Sequence, residues 1–282
     1  MNLKNSIDCM TDAITGVLAC GTPSVYLYGS IVLDDYKQGW SDIDILVLTK
    51  AEIPQAQAER LVGLRQAMAQ QFPDNPYFRL FEGGMLSLDA FLTGRGERTV
   101  YWGTSGQRMD HCYALDSFGM AQLLDDGVLL HGDEVRGQMT YPTYTQLCGD
   151  IARHLRAIRE HARETGANRY AYGWLLDIAR CIYTLRTDQI IAKTAAGEWA
   201  LQHGICPVPD ALMRAVEVRK APAASMAQEE TTRYAACLGP DIQRFADVLE
   251  KELTAVHMVT TTLGRSDAEC VTSALSFDAY RG

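Results

Sequence analysis

The chain has 282 residues, of which 47% are hydrophobic and 22% are charged, and its formal net charge is −9 at pH 7. The length exceeds what one average domain needs, and the composition is typical of a globular protein rather than a disordered one. The acidic balance argues against nucleic acid as a partner, because phosphate backbones are bound by clustered Lys and Arg. The same balance is compatible with a small cationic ligand.

No run in the sequence approaches the ~20 apolar residues that a membrane-spanning helix needs. The N-terminal stretch MNLKNSIDCM lacks the apolar core of an export signal. The eight cysteines are scattered, without a C-x-x-C pair or the spacing of metal ligands. We therefore expect reduced thiols, a cytoplasmic location and no membrane partner.

Hydrophobic periodicity in the first half of the chain predicts a mixture of helices and short strands. In chain order the predicted elements are a helix over residues 2–20, a strand at Ser24–Tyr28, a strand at Ile43–Leu48, a helix from Pro54 to about Gln71 and a strand at Met85–Leu92. The second strand is too apolar on both faces for an exposed sheet. The third follows the glycine pair Gly83-Gly84, which permits a turn or a bulge.

Beyond about residue 140 the strand signals fade and helical periodicity dominates. Helices are expected over roughly 144–165, 170–187, 194–203, 208–219 and 226–258, with the segment RKAPAASMAQEE as the loop before the last one. The predicted fold class is α+β, with an N-terminal mixed-sheet domain over residues 1–140 and an all-α helical bundle over 141–263. Residues 264–282 show no clear period and are expected to form a tail.

The stretch VYLYGSIVLDDYKQGWSDIDILVL, residues 25–48, places two carboxylates, Asp42 and Asp44, at the start of an apolar strand. Alternate side chains of a strand share a face, so these two carboxylates are expected to lie together. They would repel each other unless a cation lay between them. Mg²⁺ takes carboxylate oxygens and keeps positions for water and substrate phosphates, so the pair predicts a magnesium site, with two ions if the reaction is nucleotidyl transfer.

The pair Gly29-Ser30, after the first strand, predicts where phosphates bind. Backbone N–H groups and a hydroxyl at a strand end can face a triphosphate, and glycine allows close approach. A third carboxylate is expected from a later strand, and Glu82 and Asp89 are the candidates. They would face opposite sides of a straight strand, unless a bulge at Gly83-Gly84 changes the alternation. We favour Glu82, because it stands where the segment enters the sheet, and Asp89 stays as the alternative.

The order strand, Gly-Ser, Asp-x-Asp, apolar strand is typical of the DNA polymerase β-like nucleotidyltransferase superfamily. Within it, the chain resembles the aminoglycoside nucleotidyltransferases of the streptomycin/spectinomycin adenylyltransferase type. The resemblance is carried by YLYGSIVLDDYKQGWSDIDILVL (26–48), ALDSFGMAQLLDDGVLLHGDEV (114–135) and IARCIYTLRTDQIIAKTAAGEWAL (178–201). It implies a nucleotidyltransferase domain followed by a helical domain, with ATP as co-substrate alongside Mg²⁺.

The resemblance also implies roles for individual residues. Ser30 and Ser41 would contact phosphates, and Glu82 would be the general base that takes a proton from the acceptor hydroxyl. Arg180 and Lys193, from the helical domain, would reach the ATP phosphates. For this basic pair, a structural ion pair with Asp177 or Glu198 is the alternative that the residues leave open.

The acceptor side departs from the family pattern. The segment ETGANRYAYGW, residues 164–174, is aromatic where the family has clear carboxylates. Candidate acceptor contacts are therefore Tyr170 and Trp174, together with Glu82 and with Trp102, which lies near the position of a family tryptophan.

The expected acceptor is an aminoglycoside or aminocyclitol, and the expected consequence is antibiotic resistance. A lincosamide, a metabolite, a protein or an RNA is the alternative acceptor. A non-catalytic nucleotide-binding module of the same fold is a further alternative, and the sequence leaves the oligomeric state open.

Overall fold

The computed structural model describes residues 1–104 and 106–263, except for the side chains of Cys20 and residues 257–263. The predicted tail over 264–282 lies outside the described residues. The chain divides into two compact units: Met1–Tyr36 with Ser41–Tyr141, and Lys37–Trp40 with the residues from Pro142 onward.

The first unit is built on a mixed six-stranded sheet with the spatial order β5-β4-β3-β2-β1-β6. Among the strands that the structure describes, β2 and β3 alone pair in parallel, and the helix between them makes the crossover that a parallel pair requires. The strands are β1 (Ser24–Tyr28), β2 (Ile43–Thr49), β3 (Phe81–Ser87), β4 (Thr99–Gly103), β5 (Gly106–Asp110) and β6 (Val128–His131). The expected mixed-sheet domain is thereby confirmed.

Helices cover one face of this sheet. They are α1 (Leu3–Val17) and α2 (Gln55–Gln71), with α3 (Leu88–Thr93) and α4 (Ser117–Asp125) elsewhere in the unit. Alternate residues of the central strands, such as Ile45 and Val47, join one buried cluster with Ile14 of α1 and Leu61 of α2. The side chains between them in the strands point to the opposite face, and the candidate site lies at the end of that face.

The prediction of a strand over Met85–Leu92 is wrong in its second half. The strand is β3, which begins at Phe81 and contains the glycine pair, and the chain then turns into α3. The hydroxyl of Ser87 accepts a hydrogen bond from the backbone N–H of Ala90 at 3.1 Å, which starts the helix in place of a longer strand. At the other end Gly94 adopts a left-handed conformation with φ 68° and ends it.

The second unit is helical, as expected. Its helices are α5 (Tyr144–His161), α6 (Tyr170–Thr187), α7 (Lys193–Gln202), α8 (Pro209–Lys220), α9 (Pro222–Met226), α10 (Glu229–Ala235) and α11 (Gly239–Leu263). Within the part of the chain that the structure describes, no helix is long and apolar enough to cross a membrane.

The single helix expected over 226–258 is wrong, and so is the loop assigned to RKAPAASMAQEE. Pro222 stands at the first helical position of α9, where a missing N–H costs nothing. Gly239 begins α11 beside the backbone of Arg163, and a β-carbon there would lie 2.8 Å from that residue's carbonyl carbon. The close approach separates α10 from α11.

Trp102 lies in the core, which corrects its assignment as an acceptor contact. The side chain is 0% exposed, and its Nε1 donates a hydrogen bond to the carbonyl oxygen of Leu61 at 2.9 Å. Its neighbour Tyr101 is partly exposed on the other face of β4. The alternation of the strand therefore directs the tryptophan toward α2 and the tyrosine away from it.

We expect Trp102→Phe to lower the free energy of unfolding by about 1–4 kcal/mol, because it removes a buried hydrogen bond and leaves a void. Urea denaturation monitored by far-UV circular dichroism measures the change. Trp174→Phe, at a half-buried position on α6, is the matched control and should cost less. Equal stability of the two variants would contradict the placement of Trp102 in the core.

Candidate active site

Two carboxylates stand side by side where β2 and β3 begin. Asp44 of β2 is in register with Glu82 of β3, and directly opposed residues share a face of the sheet. Asp42 lies one residue before β2 begins, and its charge is close enough to raise the pKa of Glu82. Both strands are otherwise buried along their lengths, and Asp44 and Glu82 are their partly exposed residues. The carboxylates thus mark an opening at the end of a buried parallel pair.

Burial and neighbouring charges change the pKa of Glu82. Burial, and then the charge of Asp42, raise the pKa of Glu82 to about 7 from its ordinary 4.5. The guanidinium of Arg65 and a hydrogen bond with the Thr104 side chain act in the opposite direction. Glu82 is therefore a carboxyl group that exchanges its proton near neutral pH.

Gly29 lies against the side chain of Asp44. Its φ is +76°, and an added β-carbon would stand 2.8 Å from the carboxylate carbon of Asp44 and closer still to one of its oxygens. A side chain at this position would therefore strain the backbone and displace the carboxylate. The Gly-Ser pair that the sequence pointed to is thus in contact with the acidic cluster.

The turn after β1 contains polar atoms suited to a ligand. The Oγ of Ser30 and the hydroxyl of Tyr36 are buried and have no hydrogen-bond partner among the described residues. The turn itself is fixed by a hydrogen bond from the N–H of Asp35 to the carbonyl of Ser30 at 2.9 Å. Burial, then Tyr77 and Asp42, raise the pKa of Tyr36 to about 12, so its hydroxyl keeps its proton. Buried polar groups without partners are rare in folded proteins, and a bound ligand is one explanation.

Ser41, Asp42 and Asp44 are the candidate groups for binding phosphate and magnesium. Ser41 is buried and immediately precedes Asp42. Among the side chains that the structure describes, no group of three or more His, Cys, Asp and Glu is arranged to hold a metal ion. Magnesium needs fewer protein ligands than such a group, because it is commonly held by one or two carboxylates, substrate phosphates and water. The oxygen donors Asp42 and Asp44 fit that requirement.

Asp89, the alternative third acid, is in the first turn of α3 and not on the sheet. Its carboxylate forms an exposed ion pair with Arg95 at 3.0 Å. The strand that would have made it a competitor of Glu82 has already ended at Ser87. The structure therefore brings Glu82, and not Asp89, into register with Asp44.

A tyrosine wall, formed by Tyr28, Tyr101 and Tyr113, borders the acidic cluster and was missed in the sequence. The hydroxyls of Tyr28 and Tyr113 are 3.3 Å apart, and the rings of Tyr101 and Tyr113 have centroids 6.0 Å apart. The ring of Tyr113 occupies the space where Gly84 has no β-carbon. The glycine in an apolar strand was the available signal, because it often marks a close approach by another group.

Tyr28 and Tyr113 are held in their protonated form. Burial, and the nearby carboxylate of Asp44, raise the pKa of Tyr113 to about 12 and that of Tyr28 well above its ordinary value. Both hydroxyls therefore remain donors at neutral pH. The wall offers ring faces and neutral hydroxyls beside the carboxylates.

In the second unit, Arg180 and Lys193 meet at one carboxylate. Asp177 accepts from Arg180 at 3.2 Å and forms an ion pair with Lys193 at 2.8 Å. Burial alone would raise the pKa of Asp177, but Lys193 and Arg180 bring it below its ordinary value. The alternative partner Glu198 instead pairs with Lys220. The structural ion pair with Asp177 is therefore present, and it holds the two cations together.

Tyr170 and Trp174 stand on one face of α6. Their spacing of four residues places them above one another, and Asp177 follows on the same face. Tyr170 is 55% exposed, and its ring lies under the guanidinium of Arg169 at 4.7 Å. Trp174 is half-buried. Both aromatic side chains keep surface that a ligand could contact.

Two protein-family models match segments of this chain. Residues 22–83 match the family model described as "Nucleotidyltransferase domain", and residues 144–249 match "Aminoglycoside adenylyltransferase, C-terminal domain". Together the two segments cover more than half of the chain. A search of curated protein sequences finds no match.

Among solved structures, the chain is similar to spectinomycin adenyltransferase AAD(9) from Enterococcus faecialis, crystallised with ATP and spectinomycin. The TM-score is 0.66 at 14% sequence identity, and the match covers 88% of this chain and 100% of that one. At this identity the likeness shows a shared fold.

We expect Gly29→Ala to destabilise the protein more than Gly39→Ala. Both glycines have positive φ, +76° and +83°, so both variants carry the strain of about 1–2 kcal/mol of a left-handed conformation. Only at Gly29 would the new methyl group overlap Asp44, which adds about 1–3 kcal/mol. Thermal unfolding of both variants measures the difference, and equal losses would show that Asp44 does not lie on Gly29.

We expect the stability of the protein in EDTA to fall relative to that of Glu82→Gln between about pH 5 and pH 8. The folded-state pKa of Glu82, about 7, exceeds its ordinary 4.5, so the folded chain binds this proton more tightly than the unfolded chain. The stabilising contribution is thus fully present below the unfolded pKa and is lost as the pH rises through the folded one. The expected difference is about 1–3 kcal/mol by urea denaturation, and parallel curves for the two proteins would contradict the crowding of Glu82.

Proposed function

We propose that this chain, which belongs to the aminoglycoside nucleotidyltransferase family, moves AMP from ATP to a hydroxyl group of a small cationic acceptor such as an aminoglycoside or aminocyclitol antibiotic. The two matching domain models establish the family. The observation that carries the proposed chemistry is the cluster of Asp42, Asp44 and Glu82 at the open end of two buried strands, next to a serine hydroxyl without a partner. Transfer of AMP would inactivate the antibiotic and so confer resistance.

The phosphates of ATP would bind at the turn after β1. Gly29 lets the backbone approach a ligand closely, and the buried hydroxyl of Ser30 can donate to a phosphate oxygen. Ser41, next to Asp42 in the chain, is the second hydroxyl that we assign to phosphate binding. ATP would be available to such an enzyme in the cytoplasm.

Asp42 and Asp44 are the residues that would hold two magnesium ions. Magnesium bound there would neutralise charge on the transferring phosphate and on the departing pyrophosphate. The absence of a side chain at Gly29 leaves the space that the carboxylate of Asp44 occupies. The raised pKa of Glu82 beside Asp42 supports the same assignment, since adjacent negative charges are the environment that a cation stabilises.

Glu82 would take the proton from the acceptor hydroxyl. A carboxylate with a raised pKa is a stronger proton acceptor than an ordinary glutamate, and burial, the largest cause, raises the pKa of Glu82. Magnesium held by Asp42 would offset the further rise that the charge of Asp42 causes. As the proton moves to Glu82, the acceptor oxygen bonds to the α-phosphorus and the bond from that phosphorus to the pyrophosphate oxygen breaks. The products are an adenylylated acceptor and pyrophosphate, with the proton left on Glu82.

Arg180 and Lys193 would contribute positive charge for the ATP phosphates. Both side chains are restrained by Asp177, so little conformational freedom would be lost when they bind a ligand. Two cations on one carboxylate leave a net positive charge, which suits a polyanion. The ion pair with Asp177 is therefore compatible with phosphate binding.

The acceptor would be held by acidic and aromatic groups. The carboxylates around Glu82 and the overall charge of −9 favour a cationic molecule. Tyr170 and Trp174 offer ring faces that can pack on sugar rings and attract amines. We therefore assign Glu82, Tyr170 and Trp174 to acceptor binding.

We expect Asp42→Asn and Asp44→Asn each to reduce turnover at least about 100-fold while the fold stays intact, because each removes a carboxylate on which charge stabilisation at the phosphates depends. The measurement is pyrophosphate release with ATP and Mg²⁺, after a screen of aminocyclitols, aminoglycosides and lincosamides has identified the acceptor. Asp34→Asn, an exposed carboxylate in the same loop, is the matched control and should keep wild-type activity.

The same enzyme incubated with ATP labelled at the α-phosphate and a cell lysate tests the acceptor class. Label in small molecules supports the proposal, whereas label in protein or RNA would identify a macromolecular acceptor. Near-wild-type turnover in either the Asp42 or the Asp44 variant would refute the metal assignment. ATP binding that is indifferent to Mg²⁺, without turnover of any acceptor, would indicate a non-catalytic module.

A further inference from the structure

We infer that Arg65 of α2 is a positioning residue for Glu82, because its guanidinium group joins the backbone segments on both sides of that carboxylate and so fixes where the carboxylate points. The inference rests on the proposed function of Glu82 as general base. It concerns a residue that would touch neither ATP nor the acceptor and would act only through Glu82.

The contacts of Arg65 are specific. Its side chain is buried, one terminal nitrogen donates to the carbonyl of Phe81 at 2.7 Å, and the other donates to the carbonyl of Gly103 at 3.0 Å. Phe81 is the residue immediately before Glu82, and Gly103 is the residue immediately before Thr104. The two hydrogen bonds therefore hold the start of β3 and the end of β4 at one point.

Thr104 completes the arrangement. Its side chain lies close enough to the Glu82 carboxylate to lower the pKa of that group, as the charge of Arg65 also does. Because Arg65 fixes the peptide before Glu82 and the peptide before Thr104, it sets the distance between these two side chains. The carboxylate is thus held at the backbone by Arg65 and lies beside the Thr104 side chain.

The residue type suits this role. Arginine presents a planar fork of donors that can hold two carbonyls at fixed angles, whereas the ammonium group of lysine is a single point. When the amide of Gln107 turns its oxygen toward α2, it also accepts from Nε of Arg65 at 2.9 Å, so the guanidinium group reaches a third strand, β5. A buried cation is costly unless its donors are satisfied, and here backbone carbonyls satisfy them.

A purely structural role for Arg65 predicts a different outcome in experiment. If the side chain only stabilised the fold, its replacement would lower the melting temperature and leave the chemistry of the folded fraction unchanged. If it positions Glu82, replacement would reduce kcat in protein that is fully folded. Misplacement of a catalytic group by about 1 Å can cost about 100-fold in rate.

The test uses Arg65→Lys, Glu82→Gln and the double variant, assayed below their melting temperatures with the acceptor on which the wild-type enzyme is most active. We expect Arg65→Lys to reduce kcat by about 10- to 100-fold, with the KM for ATP and for the acceptor changed less than about threefold. In the Glu82→Gln background, Arg65→Lys should have no further effect on kcat, because the group on which it acts is already absent.

Thr104→Val and Thr104→Ser form a second pair, at an exposed position. Valine removes the hydroxyl and should reduce kcat about tenfold, and serine restores the hydroxyl and should restore most of kcat. A crystal structure of Arg65→Lys supplies a readout that is independent of turnover. We expect the Glu82 carboxylate to move away from the Thr104 side chain in that structure.

The outcomes separate this inference from the proposed function. If Glu82→Gln keeps its activity, or if the wild-type enzyme adenylylates no acceptor, the proposed function fails, and the crystal structure alone decides whether Arg65 positions the carboxylate. If Glu82→Gln is inactive while Arg65→Lys keeps kcat within about threefold, only this inference is overturned. Losses that multiply in the double variant, or an unmoved carboxylate in the crystal, would overturn it as well.

Discussion

The repulsion between carboxylates gathered at one end of a parallel strand pair is the interaction on which the proposed site depends. The register of β2 and β3 places Asp44 beside Glu82, and the charge of Asp42, just before β2, acts on Glu82. Partial burial and the charge of Asp42 raise the pKa of Glu82 toward neutral pH. The arrangement costs folding free energy, which is typical of sites that serve a ligand rather than the fold. Gly29 leaves space for the Asp44 carboxylate, and Arg65 holds the backbone beside Glu82.

The fold was predictable where the signal is local. The strand Ser24–Tyr28 was confirmed to the residue, because its apolar and aromatic residues have no competing tendency. Residues 88–92 were mistaken for the end of a strand, because the hydroxyl of Ser87 caps a helix there and an apolar run of this length does not distinguish the two. The short strands β4 to β6 carry weak patterns, such as GQRMD in β5. Pairing with neighbours, rather than their own sequence, makes them strands.

The site was predictable to the extent that its residues are close in the chain. The sequence placed Gly29 at the end of one strand and Asp44 at the start of the next, and the structure brings these two residues together. Trp102 was misplaced, because a residue type does not reveal which face of an unpredicted strand it occupies. The contacts of Arg65 and of Tyr113 join segments far apart in sequence. One sequence holds no local signal for such contacts. The roles of the site residues remain predictions.

The most direct test of the central claim is a crystal structure of the protein with a non-hydrolysable ATP analogue and Mn²⁺, whose anomalous scattering locates the metal independently of the protein. We expect Mn²⁺ within about 2.4 Å of oxygens from both Asp42 and Asp44. The phosphates of the analogue should lie against the turn that contains Ser30. Metal bound to the phosphates alone, with both aspartates turned toward other protein groups, would contradict it.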